Sequence, residues 1–136
     1  MARLFTIDEA NALIPRLERI ITRMQRFSAE LRAAINTAAQ NSGSASVADV
    51  EQWLNSRPDL RRLVTDLERC LAEIEECGGQ FKGLDLGLVD FPGAIDGQIG
   101  LLCWQYGERA ITHWHPLDEG FASRRPLPDC ARPTVH

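Results

Sequence analysis

The sequence predicts an α+β fold: a long antiparallel helical hairpin followed by a three-stranded antiparallel β-meander and a C-terminal loop. Three observations carry this reading. Apolar residues recur at alternating steps of three and four through the first 78 positions, and that period gives way to alternation from about position 86. Asp96-Gly97, the strongest short hairpin signal in the chain, stands between two apolar runs. With 136 residues the chain has room for one ordinary domain. Residues 1–127 read as that domain, with the hairpin at 6–78, the meander at 86–116 and an ordered loop at 117–127, and residues 128–136 read as a flexible tail.

The hairpin opens on Thr6-Ile7-Asp8-Glu9, a capping box in which the Thr6 hydroxyl accepts from the Glu9 N–H while Glu9 reaches back; Phe5 precedes it as a hydrophobic staple would. Ala10, Leu13, Leu17, Ile20, Met24, Phe27, Leu31, Ala34 and Ala38 then form an a/d heptad stripe of the coiled-coil kind. Ile14, Ile21 and Ile35 widen it, which implies more than one packing partner. Pro15 falls inside the pattern and should kink the helix or split off its first turns. Residues 41–46 are a flexible polar connection, and Ser46-Val47-Ala48-Asp49 caps a short helix that buries Val50, Trp53 and Leu54. Pro58 suits the first turn of the second long helix. Its stripe runs through Leu60, Leu63, Leu67, Cys70, Leu71, Ile74 and Cys77 to a stop at Gly78-Gly79. Two amphipathic helices leave part of their stripes uncovered, which favours a homodimer through the hairpin.

Three strands are expected, at 86–91, 98–106 and 109–115, with two-residue turns at Asp96-Gly97 and Gly107-Glu108 and a stop at Pro116. Counting outward from those turns pairs Ile95 with Gln98, Phe91 with Leu102, Leu102 with His113 and Gly100 with His115. One face then carries Val89, Phe91, Leu102, Trp104, Ile111, His113 and His115, and the other Asp90, Leu101, Cys103, Thr112 and Trp114.

Composition narrows the function. The chain is 44% hydrophobic and 25% charged, as globular proteins are, and its net charge of −4 argues against a general nucleic-acid binder. No apolar run is long enough to span a membrane, and the start of the sequence has no secretory h-region, so a cytoplasmic protein is expected. Cys70, Cys77, Cys103 and Cys130 show no zinc-ribbon spacing and read as reduced structural cysteines. No nucleophilic triad, HExxH, Walker loop or GxGxxG occurs, which disfavours an enzyme of a familiar class.

Two stretches together resemble a known family. Phe5 to Pro15 followed by Gly87-Leu88-Val89-Asp90-Phe91-Pro92 is one; the other is Leu102-Cys103-Trp104, Gly107-Glu108, Ile111, Trp114-His115, Gly120-Phe121, Arg124 and Pro126-Leu127. They resemble a bacterial family, domain of unknown function 2203, over Leu4 to about Leu127. The resemblance supports the architecture and implies no activity.

Chemistry is expected on the second half. His113 and His115, two apart on a strand, leave the same face and suit one transition metal, with Asp118, Glu119 or Glu108 completing a two-His, one-carboxylate site. Zinc, iron or manganese are the candidate ions, with haem behind them. The favoured reading of His115 is a plain hydrogen bond to a backbone carbonyl or carboxylate at the sheet edge, with metal ligation behind it. Gly100, opposite His115, would leave room for the ligand. Asp90, Trp104, Glu108 and Arg124 are the candidate ligand-binding residues of a pocket on the meander. Arg124 either clamps an anion or pins the loop by pairing with Glu108 or Asp90. Trp104 and Trp114 fall on opposite faces, so they form no joint stacking platform. The favoured reading is a non-catalytic, homodimeric binding or assembly module with an unidentified protein partner; the alternative is a metalloprotein, catalytic or not.

Overall fold

A computed structural model describes residues 3–42 and 47–128. It shows helices followed by an antiparallel sheet. The helices are α1 (Ile7–Ala12), α2 (Ile14–Ser42), α3 (Val47–Asn55) and α4 (Pro58–Glu76). The strands are β1 (Gln80–Gly83), β2 (Leu88–Ile95), β3 (Gln98–Gln105), β4 (His113–Pro116) and β5 (Arg125–Pro126), in the order β1-β2-β3-β4-β5.

Local chemistry sets the helix ends. The Glu9 N–H donates to the Thr6 hydroxyl at 3.1 Å and the Thr6 N–H donates to Glu9 Oε1 at 2.9 Å, closing the capping box. The Thr6 backbone N–H, and after it the Arg3 guanidinium, hold the exposed Glu9 carboxyl below its ordinary value. Pro15 offers no N–H to continue the first helix, and the chain breaks at Leu13 into α1 and α2. At the far end of α4, Gly78 takes φ +93°, and a Cβ there would lie 2.4 Å from the Phe5 ring. Only glycine fits both demands. Ser46, expected as a cap, and Cys130 and His136 of the expected tail lie outside the described residues.

The first half of α2 is the buried half. Leu17, Ile20, Ile21 and Met24 pack with Cys70 and Ile74 of α4 and with Val89, Phe91, Leu102, Trp104 and Trp114 of the sheet. Beyond Phe27 the stripe is only half-buried, at Leu31, Ala34, Ile35 and Ala38. Trp53 and Leu54 of α3 are likewise half-buried. Arg23 of α2 pairs with Glu73 of α4. Asn11 ties the helices to the second half: its side-chain oxygen accepts the Ile111 N–H at 2.8 Å.

The sheet corrects the expectation of three strands, because β1 and β5 add one to each edge. The first expected strand, 86–91, starts at Leu88 and continues to Ile95. Pro92 is tolerated inside it since β1 stops pairing at Asp90, and the Pro92 carbonyl takes the Phe5 N–H at 2.7 Å instead. The β2–β3 turn is as read: Asp96 and Gly97 both have positive φ, 52° and 77°, and Ile95 opposes Gln98 while Phe91 opposes Leu102.

The third expected strand is where the register slips. The two-residue turn at Gly107-Glu108 is replaced by a wide loop, 106–112, so β4 begins at His113 rather than Arg109. Polar bonds hold that loop open. Glu108 Oε1 accepts the Gln105 N–H at 2.6 Å, the Trp104 indole N–H donates to the Glu108 carbonyl at 2.9 Å, and Ile111 is taken up by Asn11. His115 therefore opposes Leu101, not Gly100, and Trp114 opposes Leu102. A slip of one residue exchanges faces. His113 and His115 join Asp90, Leu101 and Cys103 on the face away from the helices, and Trp114 joins Trp104 in the core. The room expected at Gly100 is taken as well, since a Cβ there would meet the Trp114 ring at 2.6 Å.

Candidate functional site

The pairings Asp90↔Cys103 and Leu101↔His115 bring one carboxylate, one thiol and one imidazole together on the outer face of the sheet. All three are buried, and one potential ligand atom from each lies within 4.8 Å of the other two. They line a cavity of about 250 Å³. Leu88, Leu101, Leu117 and Phe121 give it apolar walls, Lys82 and Glu119 stand among its lining, and Gly120 completes the side supplied by the chain after β4.

Hydrogen bonding fixes the histidine. His115 Nδ1 lies 3.0 Å from the Pro116 carbonyl, which can only accept, so Nδ1 carries a proton and donates. That leaves Nε2 facing Asp90 Oδ2 at 2.9 Å, with both side chains only 3% exposed. At this separation the two atoms share a proton as a hydrogen bond does; a cation held by both, at about 2.0–2.2 Å from each, would sit to one side of the line that joins them. The other carboxylate oxygen, Asp90 Oδ1, is buried with no hydrogen-bond partner. An orphaned buried oxygen costs about 1–3 kcal/mol, more when charged. Burial pushes the Cys103 thiol up to about 12, and the neighbouring Asp90 adds to the rise while Arg124 opposes it. Without a cation Cys103 is a neutral thiol; a bound metal would deprotonate it.

The remaining candidates are dispersed. Arg124 donates to Glu108 Oε1 at 2.6 Å and reaches the Cys103 carbonyl at 3.4 Å, pinning the C-terminal chain to the sheet beside the cavity. Its Nε is buried with no hydrogen-bond partner. Trp104 is fully buried against the helices, on the other face from the cavity. His113 is half-buried and engages the Thr112 hydroxyl through Nδ1 at 2.9 Å. Asp118 is exposed, and Glu119 is paired with Arg125 at 3.1 Å. Among the described residues, the metal-capable group is thus Asp90, Cys103 and His115, without His113 or Asp118.

Cys103 is the residue that sequence reasoning passed over, reading it as structural. The signal was present: counting from the Asp96-Gly97 turn already sets Cys103 opposite Asp90.

Fold and site define a small α+β domain with helices on one face of an antiparallel sheet and a buried Asp–Cys–His cluster on the other. The chain belongs to the uncharacterised conserved protein family DUF2203, whose model matches residues 3–127. No curated protein and no solved structure matches it. Among the described residues no helix is long and apolar enough to cross a membrane.

Proposed function

We propose that this chain is a small binding domain whose resident ligand is a divalent transition metal, held by Asp90, Cys103 and His115. The observation that carries the reading is the facing of His115 Nε2 and Asp90 Oδ2 in a buried setting beside a third donor, Cys103. Two further features support it. The proton on Nδ1, given to a backbone carbonyl, is the arrangement that orients a ligating imidazole. The partnerless Asp90 Oδ1 is an acceptor that a cation would satisfy. Thiolate with imidazole and one carboxylate suits zinc ahead of iron, and manganese least. Three protein donors leave one coordination position open, as in zinc sites that bind or activate a further molecule.

Elemental analysis of tag-free protein, purified without added metal or chelator, tests this. About one equivalent per chain is expected, lost in Cys103→Val and His115→Ala and kept in His113→Ala. Folded wild-type protein that takes up no zinc or cobalt on titration would sink the reading. Metal loss in His113→Ala would return the site to the two histidines and Asp118.

A second reading concerns assembly. The far half of the α2 stripe, at Leu31, Ala34, Ile35 and Ala38, is less covered than the near half. We read it as the seam of a homodimer in which two helical hairpins pack as a coiled coil. A monomer by light scattering at 100 µM would rule this out. The cytoplasmic setting and a separate protein partner stay with this reading.

A further inference from the structure

Asp90, Cys103 and His115 line a cavity whose charge and walls would select the guest of a metal held there. Resting on the metal reading, we infer that the site binds a small monocarboxylate with a short apolar body, one carboxylate oxygen on the metal and the chain against the leucines.

Charge comes first. A divalent ion with the Asp90 carboxylate, the Cys103 thiolate and a neutral His115 is electrically balanced. Glu119 is offset by Arg125, 3.1 Å away, and Arg124 by Glu108 at 2.6 Å. Lys82 lines the cavity with no ion pair among the described residues. The loaded site therefore carries one surplus positive charge, which a monoanion cancels and a dianion overshoots. A neutral guest would leave Lys82 unanswered.

Shape comes second. Leu88, Leu101, Leu117 and Phe121 form the walls, so the body of the guest is apolar. A volume of about 250 Å³ lies below the usual range for drug-sized ligands, which limits the guest to a handful of carbon atoms.

The experiment uses the full chain loaded with cobalt(II), whose absorption bands report a change in coordination. Sodium butyrate should shift the bands saturably, at least tenfold more tightly than acetate, which lacks the apolar body, or succinate, which carries a second charge. Butyramide should leave them unmoved. Lys82→Gln, a change at an exposed residue, should weaken butyrate about tenfold while the cobalt stoichiometry holds. Cobalt-loaded protein whose bands ignore butyrate, or answer acetate and butyrate alike, overturns the inference and leaves the metal site standing. A folded chain that takes up no cobalt overturns both.

Discussion

Asp90 and His115 lie twenty-five positions apart in sequence, on strands that do not touch, and meet across β3 with 2.9 Å between Oδ2 and Nε2. The strand between them supplies Cys103. Removing either partner should thus have two separable effects, one on the metal-free fold and one on the binding of the ion proposed for this site.

Asp90→Asn keeps the size of the side chain and removes the negative charge. Loss of an outer partner to a metal ligand typically costs ~10–100-fold in affinity, and loss of a ligand should exceed that. We expect zinc affinity to fall by more than about a hundredfold in a competition titration against a chromophoric chelator. Unchanged affinity would take Asp90 out of the ligand set.

The Cys103 thiol gives a pH dependence of stability in the metal-free protein. Burial raises it from an ordinary 9.0 to about 12, so between those values the folded chain keeps a proton that the unfolded chain has lost. Stability then falls as pH rises through this window, by up to about 1.4 kcal/mol per unit. Cys70, also raised by burial, adds in the same direction. With chelator and reductant present, Cys103→Val should lose less Tm than the wild type between pH 8.5 and 10.5. Parallel declines would show that the thiol is not desolvated.

Asn11 holds the Ile111 N–H at 2.8 Å, and Ile111 is fully buried. Asn11→Ala leaves that donor without a partner and should cost about 1–3 kcal/mol by urea denaturation. Metal stoichiometry should be unaffected in the folded fraction. A neutral result would mean that water reaches the Ile111 amide.

Gly100→Ala drives a Cβ to 2.6 Å from the Trp114 ring and 3.1 Å from the His115 carbonyl oxygen. Overpacking of this kind costs about 1–3 kcal/mol. A Tm equal to that of the wild type would show that Trp114 moves aside freely.

Much of this was legible in the residues. Thr6 and Glu9 announced the first helix, Pro15 its break, Gly78 the end of the second long helix, and Asp96-Gly97 the register of β2 on β3. These are signals that act within a few residues of one another. A pairing of Arg124 with Glu108 or Asp90 is also readable, because a stretch that shows no strand signal needs an anchor, and Glu108 is the partner. What sequence did not yield is the path of the loop 106–112. Its shape depends on Asn11, a hundred positions away, and on a Trp104 indole that reaches the Glu108 carbonyl only once the loop has widened. That one misjudged loop put His115 on the wrong face and hid the cluster it forms with Asp90 and Cys103. The edge strands were missed for a simpler reason: four residues at β1 and two at β5 are too few to show a period.

The cavity wall formed by Leu117, Glu119, Gly120 and Phe121 has a consequence for how the protein is made. During translation this stretch leaves the ribosome after every residue it closes over. The helices, β2 and β3 with Asp90 and Cys103, and then His115 are all synthesised before it. Until it is made, the outer side of the sheet lies open to the surroundings, and the helix-facing core still waits for Leu127. The outer wall of the cavity is therefore the last of its sides to be laid down, and in the finished chain Leu117 and Phe121 still stand exposed to solvent along it.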